Sequence, residues 1–197
     1  MRDMSAIVIT RYGGPEVLEL RRIPIPEATA GTAVVRVHAF GLNHAETYFR
    51  SGAWGDVARV TGIECAGEIA DPGDTGLAPG QRVFALMGGM GRSIDGSYAG
   101  YVRVPAHHVV AIDSQLPWTE LAALPESYAT AWVLLHDNLA CRTGDTLVVR
   151  GGTSALGQAA TDLARNLDVR VIATTRSQDK QRVLEALGAE AVIDAPE

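Results

Sequence analysis

The spacing of hydrophobic and polar positions changes along the chain, and the change separates a strand-rich front part from a rear part that mixes helices and strands. Between residues 5 and about 115 the apolar runs are short, and turn signals such as Gly13-Gly14-Pro15 separate them. Many short strands with this spacing predict a small β-barrel or sandwich. A helix from residue 44 to about residue 50 interrupts them. The predicted strands cover residues 6–10, 18–23, 33–39, 64–70, 82–86, 97–105 and 109–111.

The pattern becomes helical over residues 118–138, where Pro125 ends one predicted helix before another begins. A short β-branched run, Leu147-Val148-Val149, then predicts a buried strand. Apolar residues at i, i+3 and i+4 predict a helix over 158–167, and a second apolar run predicts a strand over 169–175. A helix over 179–187, closed by Gly188, and a third strand over 191–194 follow. Strand, turn, helix and strand in this order form the first half of a mononucleotide-binding βαβ fold.

The turn inside this unit is rich in glycine and other small residues. Small residues let main-chain N–H groups approach a pyrophosphate, and the positive end of the helix dipole points at it. We expect Gly152 to allow the tight turn and Gly157 to allow close packing of the helix on the strand. Ser154 stands at the middle glycine of the usual G-x-G-x-x-G, and an ordinary tight connection is the alternative. The candidate cofactor-binding residues of the turn are Gly152, Thr153, Ser154, Ala155, Leu156 and Gly157.

The end of the second strand indicates which nicotinamide cofactor binds. Proteins that bind NAD usually carry Asp or Glu there to hold the ribose 2′-OH. Here the strand ends in Thr175-Arg176-Ser177, and no acidic residue occurs before Asp179. A guanidinium flanked by hydroxyls suits a 2′-phosphate, so the sequence favours NADPH over NADH. The alternative is that Arg176 only ends a strand in solvent.

Composition narrows the classes of protein that fit. The chain has 197 residues, enough for one large domain or two small ones, and 47% of them are hydrophobic, so a core can form. The net charge of −6 and the lack of a Lys/Arg run argue against nucleic acid or an anionic membrane as a partner. No apolar run resembles a signal peptide or a membrane span, and two cysteines form no disulfide framework. We expect a soluble, cytoplasmic protein.

Several motifs, in order along the chain, resemble one family. They are Gly41-Leu42-Asn43 followed by Tyr48-Phe49-Arg50-Ser51-Gly52, then Gly62-Ile63-Glu64-Cys65-Ala66-Gly67, Ala78-Pro79-Gly80-Gln81-Arg82-Val83 and Thr130-Ala131-Trp132. With the βαβ unit, they resemble the zinc-independent quinone oxidoreductase and enoyl reductase branch of the medium-chain dehydrogenase/reductases. The resemblance implies an α/β fold with a GroES-like β-barrel domain over 1–117, connecting helices over 118–142, and an incomplete Rossmann NADP-binding domain over 143–197.

The residues argue against a zinc site. Asn43-His44 stands where zinc-dependent relatives have a cysteine, Ile63 stands where they have a histidine, and no lobe of closely spaced cysteines exists. A tetrahedral site needs three or four converging ligands, which the neighbouring Glu64 and Cys65 cannot supply. His107 and His108 are expected on one strand, where neighbouring side chains face opposite sides. We therefore predict no metal.

Without a metal, hydrogen bonds must polarise the substrate carbonyl. The resemblance implies that Tyr48 and Asn43 are the catalytic residues near the nicotinamide and that Thr130 contacts its carboxamide side. A phenol can donate to an oxygen that gains charge as hydride arrives at a conjugated carbon. The alternatives are a packing role for Tyr48 and a turn or capping role for Asn43. Tyr128 is a weaker candidate.

A Rossmann sheet has six strands, and this chain supplies the first three. The sequence therefore resembles the N-terminal part of a longer family member, or a naturally short one. We expect weak NADPH binding, little turnover, and a homodimer that covers the edge of the first strand. The complete protein is expected to reduce a quinone or an α,β-unsaturated carbonyl compound with NADPH. A catalytically inactive nucleotide-binding module or a scaffold with the same fold is the alternative.

Overall fold

The structure, a computed structural model, describes residues 2–194. The chain divides into two compact units, Met1–Glu126 and Ser127–Glu197. The predicted division into three parts, with boundaries after residues 117 and 142, stays a prediction.

The first unit is built on a five-stranded antiparallel sheet and a separate two-stranded one. The five-stranded sheet has the order β6-β3-β4-β5-β7, and β1 pairs with β2. The helices are α1, Ala45–Ser51, and the short α2, Trp118–Leu121. The strands are β1 Asp3–Ile9, β2 Leu18–Pro24, β3 Thr32–Ala39, β4 Glu64–Asp71, β5 Arg82–Leu86, β6 Tyr101–Pro105 and β7 Val109–Ala111.

Small and β-branched residues fill the core of the five-stranded sheet. The buried cluster includes Val35, Ile69, Val83 and Val102, which come from four different strands. At Gly67 on β4 an added Cβ would lie 2.1 Å from the carbonyl oxygen of Arg36 on β3. Only glycine lets the two backbones approach this closely, beside a register shift in β3 between Val37 and Ala39. The sheet therefore curls at this point.

The predicted strands of the first unit are confirmed, with three differences. The first strand begins at Asp3, three residues before its predicted start. The strand predicted over 97–105 begins only at Tyr101, because Ser97 and Tyr98 donate their backbone N–H groups to Gly62 and Thr61 instead of joining the ladder. His107 and His108 do not lie on a strand, so that expectation was wrong. They belong to a 3₁₀ turn, Ala106–His108, that follows Pro105, and their ring centroids are 4.4 Å apart.

The second unit holds a parallel sheet of three strands in the order β10-β9-β8. Its helix α4 begins at Ala155, three residues before the predicted start, because the Ser154 hydroxyl accepts a hydrogen bond of 3.0 Å from the N–H of Gly157 and caps it. The predicted strand, turn, helix and strand are confirmed. The elements are β8 Thr146–Val149, α4 Ala155–Asn166, β9 Arg170–Thr175, a 3₁₀ turn Gln178–Lys180, α5 Gln181–Ala186 and β10 Ala191–Asp194.

A further helix, α3, Pro125–Val133, begins at the predicted break. It continues as one π-helical segment, Leu134–Asn138, which the sequence pattern did not predict. In the second unit, alanines on α4 let the helix lie close to the sheet. Ala164 is fully buried in one cluster with Val171 and Leu184, so small side chains, not bulky ones, set the spacing of helix and sheet.

Candidate functional site

Asn43 is held by two buried carboxylates in the first unit. Its Nδ2 donates a hydrogen bond of 2.8 Å to Glu64, and its backbone N–H donates one of 2.8 Å to Glu46. Because a carboxylate only accepts hydrogen bonds, the amide must turn its NH2 group towards Glu64. The side chain of Asn43 is therefore fixed in orientation, and its amide also interacts with the carboxylate of Glu46.

The two carboxylates accept hydrogen bonds from distant segments of the chain. Glu46 accepts from the hydroxyl of Tyr98 at 2.5 Å and from the backbone N–H of Ile63 at 3.2 Å. Glu64 accepts from the backbone N–H of Glu126 at 2.7 Å. Glu46 is only 6% exposed and Glu64 only 3%. Such burial without hydrogen bonds would be costly, so the donors are what allow the two groups to lie inside.

Burial changes the proton affinity of this network. Removal from water raises the pKa of Glu46, and the hydrogen bonds from Tyr98, Asn43 and Ile63 partly offset the rise. Burial likewise raises the pKa of Glu64, with an opposing effect from Asn43. Burial and the neighbouring Glu46 raise the pKa of Tyr98. The phenol therefore stays protonated and keeps donating to Glu46.

Tyr48 is exposed on α1. Its side chain is 46% exposed, and its ring meets that of His44 edge-on at 5.2 Å between centroids. This exposure fits the packing alternative, a half-buried aromatic, and the catalytic role of Tyr48 stays a prediction. A phenol in this position can contact a ligand that binds beside α1.

The potential metal ligands of the first unit were compared over its described residues, 2–126. Within residues 2–194, no group of three or more His, Cys, Asp or Glu side chains is placed to hold an ion. Cys65 is fully buried, and burial raises the pKa of its thiol to about 12, so the thiolate that a metal requires is disfavoured. The absence of zinc stays a prediction.

In the second unit, the predicted cofactor-binding turn joins β8 to α4. The left-handed backbone of the turn falls on Gly151, with φ of +63°, and not on Gly152, to which we had assigned the tight turn. An added Cβ on Gly157 would lie 2.7 Å from the carbonyl oxygen of Gly151, so at this position the helix lies close to the turn, and the expected close packing on the strand stays a prediction. Gly152 has a different constraint, because its added Cβ would lie 3.0 Å from Ala173 and Leu184.

The same turn presents hydrogen-bond donors at the start of a helix. The first turn of an α-helix leaves its N–H groups without helical acceptors. In α4 the Ser154 side chain takes the N–H of Gly157, while Ala155 and Leu156 lie on the surface. The carbonyl of Thr153 accepts from the Gln158 side chain at 3.1 Å and helps to fix the loop. The arrangement can accept an anion at the positive end of α4.

The turn lies next to the end of β9. The backbone N–H of Gly152 donates to the carbonyl of Thr174 at 2.9 Å, and that of Gly151 donates to the Thr174 hydroxyl at 3.1 Å. Arg176, two residues further on, is exposed. Thr175 is only 4% exposed, and its hydroxyl bonds to the backbone of Ser177 at 3.2 Å. Thr175 therefore shapes the strand end and has little surface to offer a ligand.

The remaining predicted residues lie on α3. Thr130 is partly buried there. Tyr128 donates from its hydroxyl to Asp162 on α4 at 3.1 Å, and burial together with this carboxylate raises the pKa of the phenol. Tyr128 thus links two helices, which is a structural role.

Sequence reasoning missed Glu46 and Tyr98. Glu46 lies inside the segment that carries Asn43 and Tyr48, but an acidic residue in the first turn of a helix is common at a solvated surface. Inside the first unit its carboxylate accepts a hydrogen bond from Tyr98, 52 positions away. No local pattern in the sequence connects the two residues.

None of the helices in residues 2–194 is long and apolar enough to cross a membrane. The expected cytoplasmic location stays a prediction.

The chain resembles known proteins in sequence. Residues 29–114 match the alcohol dehydrogenase GroES-like domain. Human quinone oxidoreductase is 31% identical over 197 aligned residues, which are 97% of this chain and 58% of that protein. Human synaptic vesicle membrane protein VAT-1 homolog-like is 29% identical over 93% of this chain and 44% of its own length. The chain thus spans less than two thirds of the curated relatives it matches.

Solved structures share the fold. A mycobacterial protein in complex with NADPH superposes with a TM-score of 0.88 at 30% identity, over 98% of this chain and 58% of that one. The quinone oxidoreductase from Coxiella burnetii gives a TM-score of 0.87 at 27% identity, over 98% of this chain and 62% of its own. The curled antiparallel sheet is the GroES-like domain, and the three parallel strands are part of a Rossmann sheet. The chain is similar to the quinone oxidoreductase branch of the medium-chain dehydrogenase/reductases.

Proposed function

We propose that this chain supplies the nucleotide-binding turn and the substrate-side residues of an NADPH-dependent oxidoreductase that reduces a quinone or an α,β-unsaturated carbonyl compound without zinc. The observation that carries the proposal is the contact between the glycine turn and the end of β9. Through it, the first turn of α4 and Arg176 lie at neighbouring ends of one βα unit. The solved relative in complex with NADPH, at 30% identity, supports the choice of cofactor.

The residues of the second unit fit a dinucleotide. The first turn of α4 would hold the pyrophosphate, and the missing side chain at Gly157 keeps the helix close to the turn. Arg176 would grip a 2′-phosphate with two hydrogen bonds, with Ser177 beside it, and this contact would select NADPH over NADH. Thr130 is proposed to contact the carboxamide side of the nicotinamide.

The residues of the first unit would act on the substrate. When bound, NADPH would supply a hydride, which carries two electrons and one proton, and leave as NADP⁺. Asn43, fixed by Glu46 and Glu64, would lie beside the substrate oxygen and help to orient it. Tyr48 would donate its phenol proton to the oxygen that gains charge, and water would return that proton to the tyrosine.

The nucleotide site is tested by titrating the chain with NADPH and NADH while following nucleotide fluorescence. Arg176→Ala is expected to weaken NADPH binding by about tenfold or more, because one charged bidentate contact is lost, and to leave NADH binding unchanged. Arg170→Ala is the matched control, since Arg170 is an exposed arginine at the opposite end of β9. Equal effects of Arg176→Ala on both nucleotides would contradict the assignment.

Two results would favour the alternative of an inactive module. The first is tight NADPH binding with no reduction of quinones or enones by the full-length protein. The second is no nucleotide binding at all by a folded, stable chain. Zinc independence predicts that added Zn²⁺ or a chelator leaves both binding and turnover unchanged.

We further propose that the chain is a homodimer. Among the described strands, β8 pairs on one side only, with β9, and Val148 on it is 59% exposed. Such an edge is usually paired or covered, and a second copy offers a matching strand. Sedimentation of the chain at micromolar concentration tests this, and a monomer would contradict it.

A further inference from the structure

A small cavity lies beside α1 in the first unit. Its volume is about 160 Å³, and its walls include Phe49, Ile63 and Met90. These three side chains are 1%, 6% and 1% exposed, so the interior of the cavity is apolar. Trp54 and Arg92 also line it and are exposed, which places them at the rim.

The cavity adjoins the residues that hold Asn43. Ile63 donates its backbone N–H to Glu46, and Glu126, which also lines the cavity, donates its backbone N–H to Glu64. Ala45 on α1 lines it too, and Tyr48 lies one helical turn further on the same side of α1. A ligand in the cavity would therefore lie beside the groups proposed to act on the substrate.

A strained loop forms one wall. Met87 has a left-handed backbone, with φ of +58°, and Gly88 and Gly89 follow with φ of +60° and +91°. A left-handed conformation costs free energy for a residue with a side chain, and Met87 is 43% exposed, so burial of its own side chain is incomplete. Strain of this kind is often found where a binding site needs a particular wall.

The rim carries an aromatic ring and a cation. The guanidinium of Arg92 lies 5.2 Å from the centre of the Trp54 ring, which in turn meets Phe49 edge-on at 5.2 Å between centroids. Arg92 can donate to an oxygen at the mouth. Glu126 also lines the cavity, so an anionic ligand would meet a like charge there.

We propose that this cavity binds a single uncharged six-membered ring that carries an oxygen, with the ring between Phe49, Ile63 and Met90 and the oxygen at Arg92. The volume of the cavity limits the ligand to one ring, because an apolar cavity of about 150 Å³ holds one benzene molecule. A fused second ring exceeds the space. The inference rests on the proposed function and narrows its substrate class to monocyclic quinones and cyclic enones.

The test is binding of phenol, 2-naphthol and benzoate to the chain labelled with ¹³C at the methionine methyls. Phenol is expected to shift the Met87 and Met90 signals with a dissociation constant on the order of 1 mM, and to leave Met4, in another core cluster, unchanged. Binding of 2-naphthol at these methyls should be about tenfold weaker, because a second ring overfills the cavity, and benzoate should also bind less tightly than phenol.

Variants separate the cavity from nonspecific binding. Ala45→Leu fills the cavity and should abolish the phenol shifts, and Trp54→Ala, at an exposed position, provides a second variant if the first does not fold. Arg92→Gln should weaken phenol binding several-fold, whereas Arg103→Gln, at an exposed arginine outside the cavity, should not. Unchanged phenol shifts in Ala45→Leu, or 2-naphthol binding as tightly as phenol, would overturn the proposal. No nucleotide is present, so a failure of NADPH binding leaves this test intact.

Discussion

The hydroxyl of Tyr98 donates a 2.5 Å hydrogen bond to the buried carboxylate of Glu46, 52 positions earlier in the sequence. The bond connects the segment before β6 to the helix that carries Tyr48. Together with the backbone N–H groups of Asn43 and Ile63, it keeps a carboxylate inside the first unit.

Removing that bond should destabilise the first unit. Tyr98→Phe leaves Glu46 with two backbone donors, and we expect a loss of about 2 kcal/mol in the free energy of unfolding, as for a hydrogen bond to a charged group. Urea unfolding followed by circular dichroism measures it. Tyr101→Phe on β6 is the control and should change the free energy by less than about 0.5 kcal/mol. Equal losses of unfolding free energy in both variants would show that the hydrogen bond from Tyr98 to Glu46 does not stabilise the first unit.

The same network should make stability depend on pH. Burial raises the pKa of Glu46 in the folded state above its unfolded value of 4.5. Between these two values the folded state binds more protons, so the free energy of unfolding falls as pH rises. We therefore expect the stability of the wild type relative to Glu46→Gln to be greatest near pH 4 and to decrease from about pH 4.5 upwards. A relative stability that increases with pH in this range would mean that Glu46 has a lowered pKa.

Trp118 lies between two side chains of the five-stranded sheet. Its ring stacks on His38 at 4.5 Å, and the guanidinium of Arg82 lies 3.8 Å from its centre. Trp118→Ala should cost about 3 kcal/mol of unfolding free energy, because packing and a cation–π contact are lost together. Trp118→Phe should recover part of the loss, and Leu20→Ala, at a position 74% exposed, should be nearly neutral. Thermal unfolding by calorimetry compares the three variants.

Gly157 tests the close approach of α4 to the turn. Gly157→Ala would press a methyl group against the backbone of Gly151 and Gly152, at 2.7 Å from each. We expect a loss of about 2 kcal/mol in stability and weaker NADPH binding by titration. Gly144→Ala is the control for backbone strain alone, since its φ is +87° but no atom lies within 4 Å of the added Cβ. That variant should cost about 1 kcal/mol and leave nucleotide binding unchanged.

Local patterns predicted the elements well. The limits of β5 and β7 match the prediction, and the βαβ unit follows from apolar periods that a short window of residues can reveal. The start of α4 was placed late, because the three residues after Ser154 lack the apolar pattern while their helical state depends on the cap. The backbone conformation of the glycine turn could not be predicted, because two adjacent glycines give no sign of which one adopts the left-handed conformation.

Contacts between segments far apart in the chain could not be predicted from the sequence. Asn43 was a candidate by resemblance. Its hydrogen bonds to Glu46 and Glu64 form because the fold brings α1 and β4 together. His107 and His108 were predicted to lie on a strand. That prediction was wrong, because they belong to the 3₁₀ turn that follows Pro105. The cavity beside α1 likewise joins residues from 45 to 126, which no motif groups together.

The two buried carboxylates also bear on the order of folding. Three of their hydrogen bonds span 21, 52 and 62 positions, so closing each loop costs chain entropy before the bond can form. Interactions of this kind are expected to form after the folding transition state. Breaking them should then accelerate unfolding and leave the refolding rate nearly unchanged. The carboxylates that hold Asn43 would therefore slow the unfolding of the first unit and have little effect on its rate of folding.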